Sequence, residues 1–182
     1  MPRKSIILLI IVSTLGSCIV KKKTTYSKTR TVTVTSDESP PPTTSSKKER
    51  KKKVNKKADN VVAHAMTFTG TRYKFGGTTK KGMDCSGLVY MALLENEIPF
   101  PRVSYNMANE GKRVRLNEVE KGDLLFFKTT KSGKRINHVG LVVDVEGDNI
   151  RFIHATSSRG VIVSSLREGF WNHSFVKATR IL

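Results

Sequence analysis

The basic segment that follows residue 18 limits how much of this chain can form a folded core. Residues 1–18, 19–57 and 58–182 carry net charges of +2, +10 and +6, which together make the +18 of the whole chain. Residues 19–57 combine lysine clusters with threonine, serine and proline and contain few apolar side chains, a composition typical of a disordered tether. Only the 125 residues of 58–182 remain for a hydrophobic core, which is enough for one domain.

The N-terminus has the features of a bacterial export signal. Arg3 and Lys4 precede an apolar run over residues 6–12, which is too short to cross the roughly 30 Å of a bilayer core as a permanent helix. The following Leu15-Gly16-Ser17-Cys18 resembles a lipobox, in which the cysteine is lipidated and becomes the mature N-terminus. We therefore expect a lipoprotein signal peptide at 1–17, a lipidated Cys18 with a disordered basic tether at 18–57, and a domain at 58–182. The alternative is an ordinary secretory signal that happens to contain Cys18.

Export and lipidation limit the partners of the chain. An exported lipoprotein does not meet nucleic acid, so we interpret the tether as a solvated cationic spacer that contacts membrane phosphates or anionic wall polymers. Ile19 and Val20 place no acidic residue next to Cys18, which favours an anchor in the outer membrane with the domain facing the periplasm. A lipidated Cys18 cannot form a disulfide, so Cys85 is left as a free thiol in an oxidising compartment. This favours a chemical role for Cys85.

The segment Asp84-Cys85-Ser86-Gly87-Leu88 stands where a glycine-rich loop gives way to a helix. Apolar residues recur at helical spacing after it, which predicts a helix from Cys85 to about Asn96 with Asp84 as its N-cap. Free backbone N–H groups and the helix dipole in the first turn favour a thiolate and lower the pKa of a cysteine there. The sulfur is then nucleophilic. The alternative is a buried structural cysteine.

The remaining pattern predicts helices first and a sheet afterwards. A first helix is expected from Ala58 to about Gly70, and a short helical or irregular piece over 104–110. Strands are then expected over 124–127, 139–145, 150–153, 161–163 and 175–181. Helices followed by an antiparallel sheet make this an α+β chain.

His138 and His154 fall on two neighbouring strands, and their register can be predicted. The turn between the strands suits a three-residue hairpin with Val145 opposite Asn149. In that register the two imidazoles are diagonal neighbours on one face, and Gly140 leaves room beside His154. A slip of one residue would separate the rings onto opposite faces.

Together these residues supply the parts of an acyl-transfer site. Cys85 would be the nucleophile, His138 the base that later protonates the leaving amine, and His154 the group that orients the base. The backbone N–H of Cys85 and the hydroxyl of Tyr73 are candidate donors to the oxyanion. Zinc is disfavoured because structural zinc sites use four ligands with a close-spaced pair, and a nucleophilic Ser86 is disfavoured because it would point away from Cys85. We expect no metal and no cofactor.

Six segments stand in a characteristic order within residues 58–182. They are Tyr73–Gly77, Asp84–Leu88, Pro101–Arg102, Gly122–Phe127, His138–Val142 and Phe152–Ala155. Together they resemble the NlpC family of cell-wall cysteine peptidases, most closely the Spr-type lipoprotein murein endopeptidases. The resemblance implies a papain-like fold, with N-terminal helices packed on an antiparallel sheet, and a Cys85, His138, His154 triad.

The same resemblance implies a substrate. It is the peptide part of peptidoglycan, in which the family hydrolyses amide bonds that involve D-amino acids and diaminopimelate. We therefore expect a monomeric DL-endopeptidase acting on stem peptides or cross-links. By the same likeness Asp84, Ser86, Arg102 and Ser104 line the substrate groove, where Arg102 suits bidentate pairing with stem-peptide carboxylates. Two alternatives stay open: an amidase that cuts at the sugar-peptide junction, and a non-catalytic wall-binding lipoprotein.

Overall fold

A computed structural model describes residues 44–130 and 135–182. The expected signal peptide, the lipidation site Cys18 and the tether as far as residue 43 lie outside the described residues. The helices are α1 (Thr44–Met66), α2 (Cys85–Leu94), α3 (Ser104–Met107) and α4 (Gly169–Ser174), with a 3₁₀ turn at Leu116–Glu118. The strands are β1 (Thr78–Thr79), β2 (Gly82–Met83), β3 (Lys112–Val114), β4 (Leu124–Phe127), β5 (His138–Glu146), β6 (Asn149–Thr156), β7 (Gly160–Ser165) and β8 (Phe175–Arg180).

The six longer strands form one antiparallel sheet in the order β3-β8-β4-β5-β6-β7. Helices α1 and α2 come before them in the chain and pack on the sheet, so the predicted α+β fold is confirmed. All five predicted strands are present. The short elements β1, β2, β3 and α4 were not predicted, because segments of two to six residues are too short to show a hydrophobic period.

Helix α1 begins at Thr44, well before the predicted start at Ala58. Residues 44–57, which the composition assigned to the tether, are therefore helical in the structure. The physical reason is that this stretch contains no glycine or proline and is rich in lysine, a good helix former. Ala58, Val61 and Val62 are buried, so the helix packs on the domain from Ala58 onward.

Two hydrophobic clusters cover the two faces of the sheet. The helix-side cluster contains Val61, Leu88, Val89, Leu124, Phe126 and Val139 with their neighbours, and the aromatic cluster contains Leu125, Phe127, Val142, Phe152 and Trp171 with theirs. Strand β4 shows why the sheet is buried on both sides: its four residues are fully buried and alternate between the two clusters, as the two-residue period of a strand requires.

The β5–β6 hairpin reaches the predicted register by a different route. Glu146 pairs with Asn149 across a two-residue turn, so the predicted three-residue turn is wrong. A β-bulge at Val143 then shifts the pairing by one residue, and Leu141 lies opposite Ile153 as predicted. The tighter turn and the bulge compensate each other, which leaves the strand ends that carry the histidines in the predicted register.

Candidate active site

Asp84 fixes the start of helix α2. Its Oδ1 accepts the backbone N–H of Gly87 at 2.6 Å and its Oδ2 accepts that of Gly76 at 2.7 Å, so the predicted N-cap is confirmed. Gly87 is needed because a Cβ at this position would lie 2.2 Å from the carbonyl oxygen of Gly77. The loop therefore closes tightly onto the first helical turn, which holds Cys85.

Arg102 holds Asp84 from the other side. Its Nη1 donates to Asp84 Oδ1 at 3.0 Å and to Ser86 Oγ at 2.8 Å, while its Nη2 donates to Asp84 Oδ2 at 3.0 Å and to the Gly77 carbonyl at 3.3 Å. All four terminal N–H groups are thus engaged within the chain. The structure pairs the fork of Arg102 with Asp84, and the expected pairing of Arg102 with substrate carboxylates stays a prediction.

His138 and His154 lie together on the face of the sheet that carries the aromatic cluster. Nε2 of His138 is 3.0 Å from Nδ1 of His154, and the rings are nearly perpendicular at 83°. The indole of Trp171 stacks on His138 with centroids 5.1 Å apart and meets His154 edge-on at 4.4 Å. The structure therefore places both rings on one face, as the register predicted. The indole of Trp171, called the aromatic lid below, packs against both of them.

Gly140 makes room for a different ring than the sequence suggested. A Cβ at this position would lie 2.4 Å from Cδ2 of Phe152, so the prediction that it clears space beside His154 is wrong. Phe152 fills the space over Gly140 and in turn packs against His154 with ring centroids 4.8 Å apart.

Burial keeps both histidines neutral. It lowers the pKa of His138 from 6.5 to about 4. Burial, then the neighbouring His138 and then the charge of Arg159 lower the pKa of His154 to about 3. In a neutral pair one ring nitrogen donates and the other accepts, and if Nε2 of His138 donates, its Nδ1 is left as an acceptor. The proton of His154 then sits on Nε2, a buried atom with no hydrogen-bond partner among the described residues.

Cys85 is a buried free thiol that belongs to the helix-side cluster. Burial raises the pKa of the thiol most strongly, and the carboxylate of Asp84 adds to this; the N–H groups of Val139, Ser86 and Cys85 itself act in the opposite direction. The lowered pKa predicted from the helix position is therefore wrong. The sulfur is a thiol whose proton must be taken by a base.

Two cavities meet at Cys85. The larger, of about 860 Å³, is lined by the four predicted groove residues, Asp84, Ser86, Arg102 and Ser104, and by Tyr73, the predicted oxyanion donor. The smaller, of about 440 Å³, is lined by His138, Trp171, Arg159 and Glu168. Tyr73 and Cys85 line both. The structure thus brings the predicted nucleophile and the predicted base to one space, with the predicted groove residues on the other side of the sulfur.

Tyr73 is the half-buried residue that stands between the two cavities. Burial, followed by the nearby Cys85 and Asp84, raises the pKa of its phenol, so the hydroxyl keeps its proton and can donate a hydrogen bond. Within residues 44–130 and 135–182, no group of three or more histidine, cysteine, aspartate or glutamate side chains is arranged to hold a metal ion.

Sequence reasoning missed two contributors to the site. Trp171 packs against both histidine rings, and the backbone N–H of Val139 lowers the pKa of the Cys85 thiol. A usable signal existed for the first, since Trp171 is the single tryptophan of the chain. The contribution of Val139 depends on the packing of strand β5 beside the start of helix α2, which the sequence does not show.

Residues 70–180 match the profile of the NlpC/P60 family. The chain belongs to the NlpC/P60 family. The matched range contains every residue of the two cavities named above, so the family assignment rests on the part of the molecule that forms the site.

Known NlpC/P60 proteins resemble the chain along this region. The murein DD-endopeptidase MepS/murein LD-carboxypeptidase of Escherichia coli K12 is 40% identical over 114 residues, which are 62% of this chain and 57% of that protein. The bifunctional muramidase/DL-endopeptidase CwlT of Bacillus subtilis 168 is 34% identical over 124 residues, which are 68% of this chain and 36% of that protein. The chain thus spans little more than half of the first relative and about a third of the second.

A solved structure confirms the fold. The crystal structure of an NlpC/P60 family protein from Bacillus cereus superposes with a TM-score of 0.61 at 27% identity, covering 68% of this chain and 39% of that one. The helices followed by an antiparallel sheet are therefore the NlpC/P60 version of the papain-like α+β fold that the sequence predicted.

Proposed function

We propose that this chain is a lipid-anchored cysteine endopeptidase that hydrolyses amide bonds in the peptides of peptidoglycan. The observation that carries the proposal is the shared cavity: the thiol of Cys85 and the ring of His138 line the same space, and His154 stands 3.0 Å behind the base. A nucleophile, a base and an orienting group in this order are what acyl transfer from an amide needs.

The chemistry follows from a neutral His138 and a protonated Cys85. Nδ1 of His138 takes the proton of Cys85 as the sulfur attacks the carbonyl carbon of the substrate, and a C–S bond forms. The N–H of Cys85 and the hydroxyl of Tyr73 donate to the oxyanion. His138 then returns the proton to the leaving amine as the C–N bond breaks. Water, activated by His138, hydrolyses the thioester and regenerates the thiol.

The pKa shifts of His138 and Cys85 support this order of steps. A neutral His138 is an acceptor and a protonated Cys85 is a donor, so proton transfer from sulfur to nitrogen is the first step rather than a pre-formed ion pair. His154, held by Trp171 and Phe152, keeps the ring of His138 oriented while the charge develops.

The substrate class is supported by the names of the relatives. The E. coli protein is named as a murein DD-endopeptidase and LD-carboxypeptidase, and the B. subtilis protein as a DL-endopeptidase. Each name refers to an amide bond next to a D-amino acid. We extend this to the present chain as a DL-endopeptidase of stem peptides or cross-links, with an amidase at the sugar-peptide junction as the second candidate.

The location is part of the proposal. The signal sequence and Cys18 support a lipid anchor in the outer membrane, with a monomeric domain facing the periplasm. Among the helices that the structure describes, none combines the length and the apolar character needed to cross a bilayer. Fractionation of cells that produce the chain or its Cys18→Ala variant tests the anchor, because the variant should leave the membrane fraction.

Digestion of purified muropeptides tests the activity. The full chain should release fragments that mass spectrometry identifies, and Cys85→Ala should release none. A fragment cut next to a D-amino acid supports the endopeptidase, whereas whole stems freed from the sugar identify the amidase. Retained cleavage by Cys85→Ala would refute the mechanism. Binding of wall without any cleavage by the unmodified chain would leave the non-catalytic wall-binding role.

A further inference from the structure

Helix α1 divides into a part that packs on the domain and a part that precedes it. From Ala58 onward the helix buries one side against the core, with Ala58, Val61, Val62 and Ala65 all buried. Residues 44–57 come before this packed part and contain eight lysine or arginine residues and one glutamate, a net charge of +7. More than a third of the +18 of the chain is therefore carried by about four turns of one helix.

Four of these lysines share one face of the helix. Lys52, Lys53, Lys56 and Lys57 are exposed, and their spacing of one, four and five residues places them side by side on an α-helix. With 3.6 residues per turn this face, called the lysine face below, is opposite to the face that the packed part of α1 turns to the core. A flat surface can therefore approach the lysine face without meeting the domain.

The lysine face has no carboxylate partner in the described part of the chain. No salt bridge there includes any of its four lysines. Asp59, the next acidic residue along the helix, is paired with Lys121 at 2.5 Å, and Glu49 is the single acidic residue on the N-terminal side. Like charges four residues apart repel each other along the face and destabilise a helix. An anionic partner would remove this repulsion.

The lysine face extends from the end of the sheet opposite to the active site. Where the packed part of α1 begins, a Cβ at Gly122 would lie 2.8 Å from Cβ of Ala58, and the other end of the adjoining strand β4 reaches the histidine pair. Beyond the C-terminal end of α1, Gly70 donates its N–H to the Val161 carbonyl at 2.9 Å, beside the end of β6 that carries His154. Helix α1 thus runs toward the site, and its basic residues lie at the remote end.

This position favours the membrane over wall polymers, the two anionic surfaces that composition left open. Cys18 lies 26 residues before Thr44, and a fully extended chain of that length spans at most about 90 Å. A lipid at Cys18 would therefore keep the helix near a bilayer, whereas a wall peptide bound at the site lies at the opposite end of the sheet. A lipid and a basic cluster are two signals that together give stable membrane attachment.

We propose that the lysine face is a membrane-docking surface that binds the phosphate groups of anionic lipids. The four ammonium groups contact the phosphates, and the helix lies on the bilayer without inserting, because Val54 is the single large apolar residue of 44–57. Docking does not depend on amide hydrolysis. Only the choice of a bilayer as the partner rests on the proposed anchor at Cys18.

Vesicle binding by the full chain with Cys18→Ala tests the lysine face without a lipid anchor. Vesicles of phosphatidylglycerol and phosphatidylethanolamine should bind this chain far more tightly than vesicles of phosphatidylcholine and phosphatidylethanolamine. Each lysine near an anionic surface contributes about fivefold in affinity. A four-lysine variant, in which the whole lysine face is changed to glutamine, should therefore bind anionic vesicles on the order of 100-fold more weakly.

A matched control carries the same change of charge elsewhere. Lys80→Gln, Lys81→Gln, Lys112→Gln and Lys128→Gln together remove four exposed lysines that lie apart from α1. Scattered charges farther than a Debye length from the bilayer are screened, so this control should lose less than about threefold in affinity. Equal losses in the control and the four-lysine variant would mean that net charge, and not the lysine face, binds the vesicles.

A second pair of variants separates the helix from its charge. Asn55→Pro keeps every lysine but breaks the helix within the lysine face, so that the four side chains no longer share one side. Its affinity for anionic vesicles should fall by about 10-fold. Asn55→Ala keeps both the charge and the helix and should bind like the Cys18→Ala chain. Equal binding by the two Asn55 variants would overturn the lysine face.

Wall binding and hydrolysis give separate readouts. Isolated wall that binds the Cys18→Ala chain but not its four-lysine variant, together with no binding of anionic vesicles, would overturn the membrane as the partner. The four-lysine variant should cleave muropeptides with unchanged kcat/KM, because the lysine face lies outside both cavities. A chain that binds anionic vesicles through these lysines but cleaves nothing would support docking and refute the proposed hydrolysis.

Discussion

The cysteine half and the histidine half of the site are held by different forces. Around Cys85 the carboxylate of Asp84 and the guanidinium of Arg102 satisfy each other through directional hydrogen bonds. Around His154 the contacts are aromatic, and its buried Nε2 has no partner in the described residues. The nucleophile is therefore positioned by directional hydrogen bonds, whereas the base is positioned by aromatic packing that also excludes water and keeps the imidazoles neutral.

The largest effect is expected from a variant that removes the base, His138, but keeps the approximate shape of its side chain. His138→Gln retains an N–H donor for His154 but cannot take a proton from Cys85. We expect kcat/KM on muropeptides to fall by about 10²- to 10⁴-fold, the usual contribution of general acid–base catalysis, with a small change in Tm. His173→Gln, which alters an exposed histidine of α4, is the control and should retain full activity. More than a tenth of the activity left in His138→Gln would show that another group accepts the proton.

Removing the aromatic lid tests the packing half directly. Trp171→Ala should lower the free energy of unfolding by about 4 kcal/mol, because a large buried side chain leaves a cavity. Trp171→Ala should also let water reach both imidazoles. Its activity should then fall by more than the loss of folded protein accounts for. Urea denaturation measures the first effect and muropeptide turnover the second.

The neighbouring residue provides the matched control for the lid. Phe170→Ala removes a ring that is 57% exposed and should cost about 1 kcal/mol or less. Equal losses of stability in the two variants would contradict the view that Trp171 holds the histidines.

The cysteine half could be predicted from the sequence because its signals are local. A cap, a nucleophile and a glycine stand within four consecutive residues, Asp84 to Gly87. The backbone geometry of a helix start then determines where the nucleophile lies. What local sequence could not show is that the guanidinium of Arg102 is already hydrogen bonded, because its main partner, Asp84, lies eighteen residues earlier. Asp84 accepts two of the four terminal N–H groups, and Ser86 and the Gly77 carbonyl accept the other two. The raised pKa of the thiol was missed for a similar reason, since burial depends on the whole fold.

The histidine half could be predicted only in outline. Alternation along the strands gives the shared face of His138 and His154, but the structure reaches it through a two-residue turn and a compensating bulge at Val143. Either feature alone would put the rings on opposite faces. Trp171 arrives from seventeen residues beyond His154, and no strand or helix period links the two.

The pH dependence of stability is a smaller test of the same packing. On folding the pKa of His138 falls from 6.5 to about 4 and that of His154 falls to about 3, so the folded state binds fewer protons. Stability is therefore fully present above about pH 6.5 and is lost as the pH falls toward 4. His138 alone accounts for about 3 kcal/mol between pH 7 and pH 4.

Comparison with a variant separates the contribution of His138 to stability from that of the titrating carboxylates. Urea denaturation at pH 7, 5 and 4 should give a steeper loss for the unmodified chain than for His138→Gln, whereas His173→Gln should follow the unmodified chain. Parallel curves for the unmodified chain and His138→Gln would mean that the ring is not held neutral by burial.

The smallest expected effect belongs to the polar half. Arg102→Ala leaves the nearly buried carboxylate of Asp84 without its cation and should lower the free energy of unfolding by about 2 kcal/mol. Arg102→Lys should recover only part of this, because a single ammonium group cannot replace four fixed donors. Arg167→Ala breaks an exposed pair with Asp148 at 3.8 Å and should cost less than about 0.5 kcal/mol. Full recovery by lysine would mean that charge alone, rather than the fork of hydrogen bonds, fixes the start of the helix that presents Cys85.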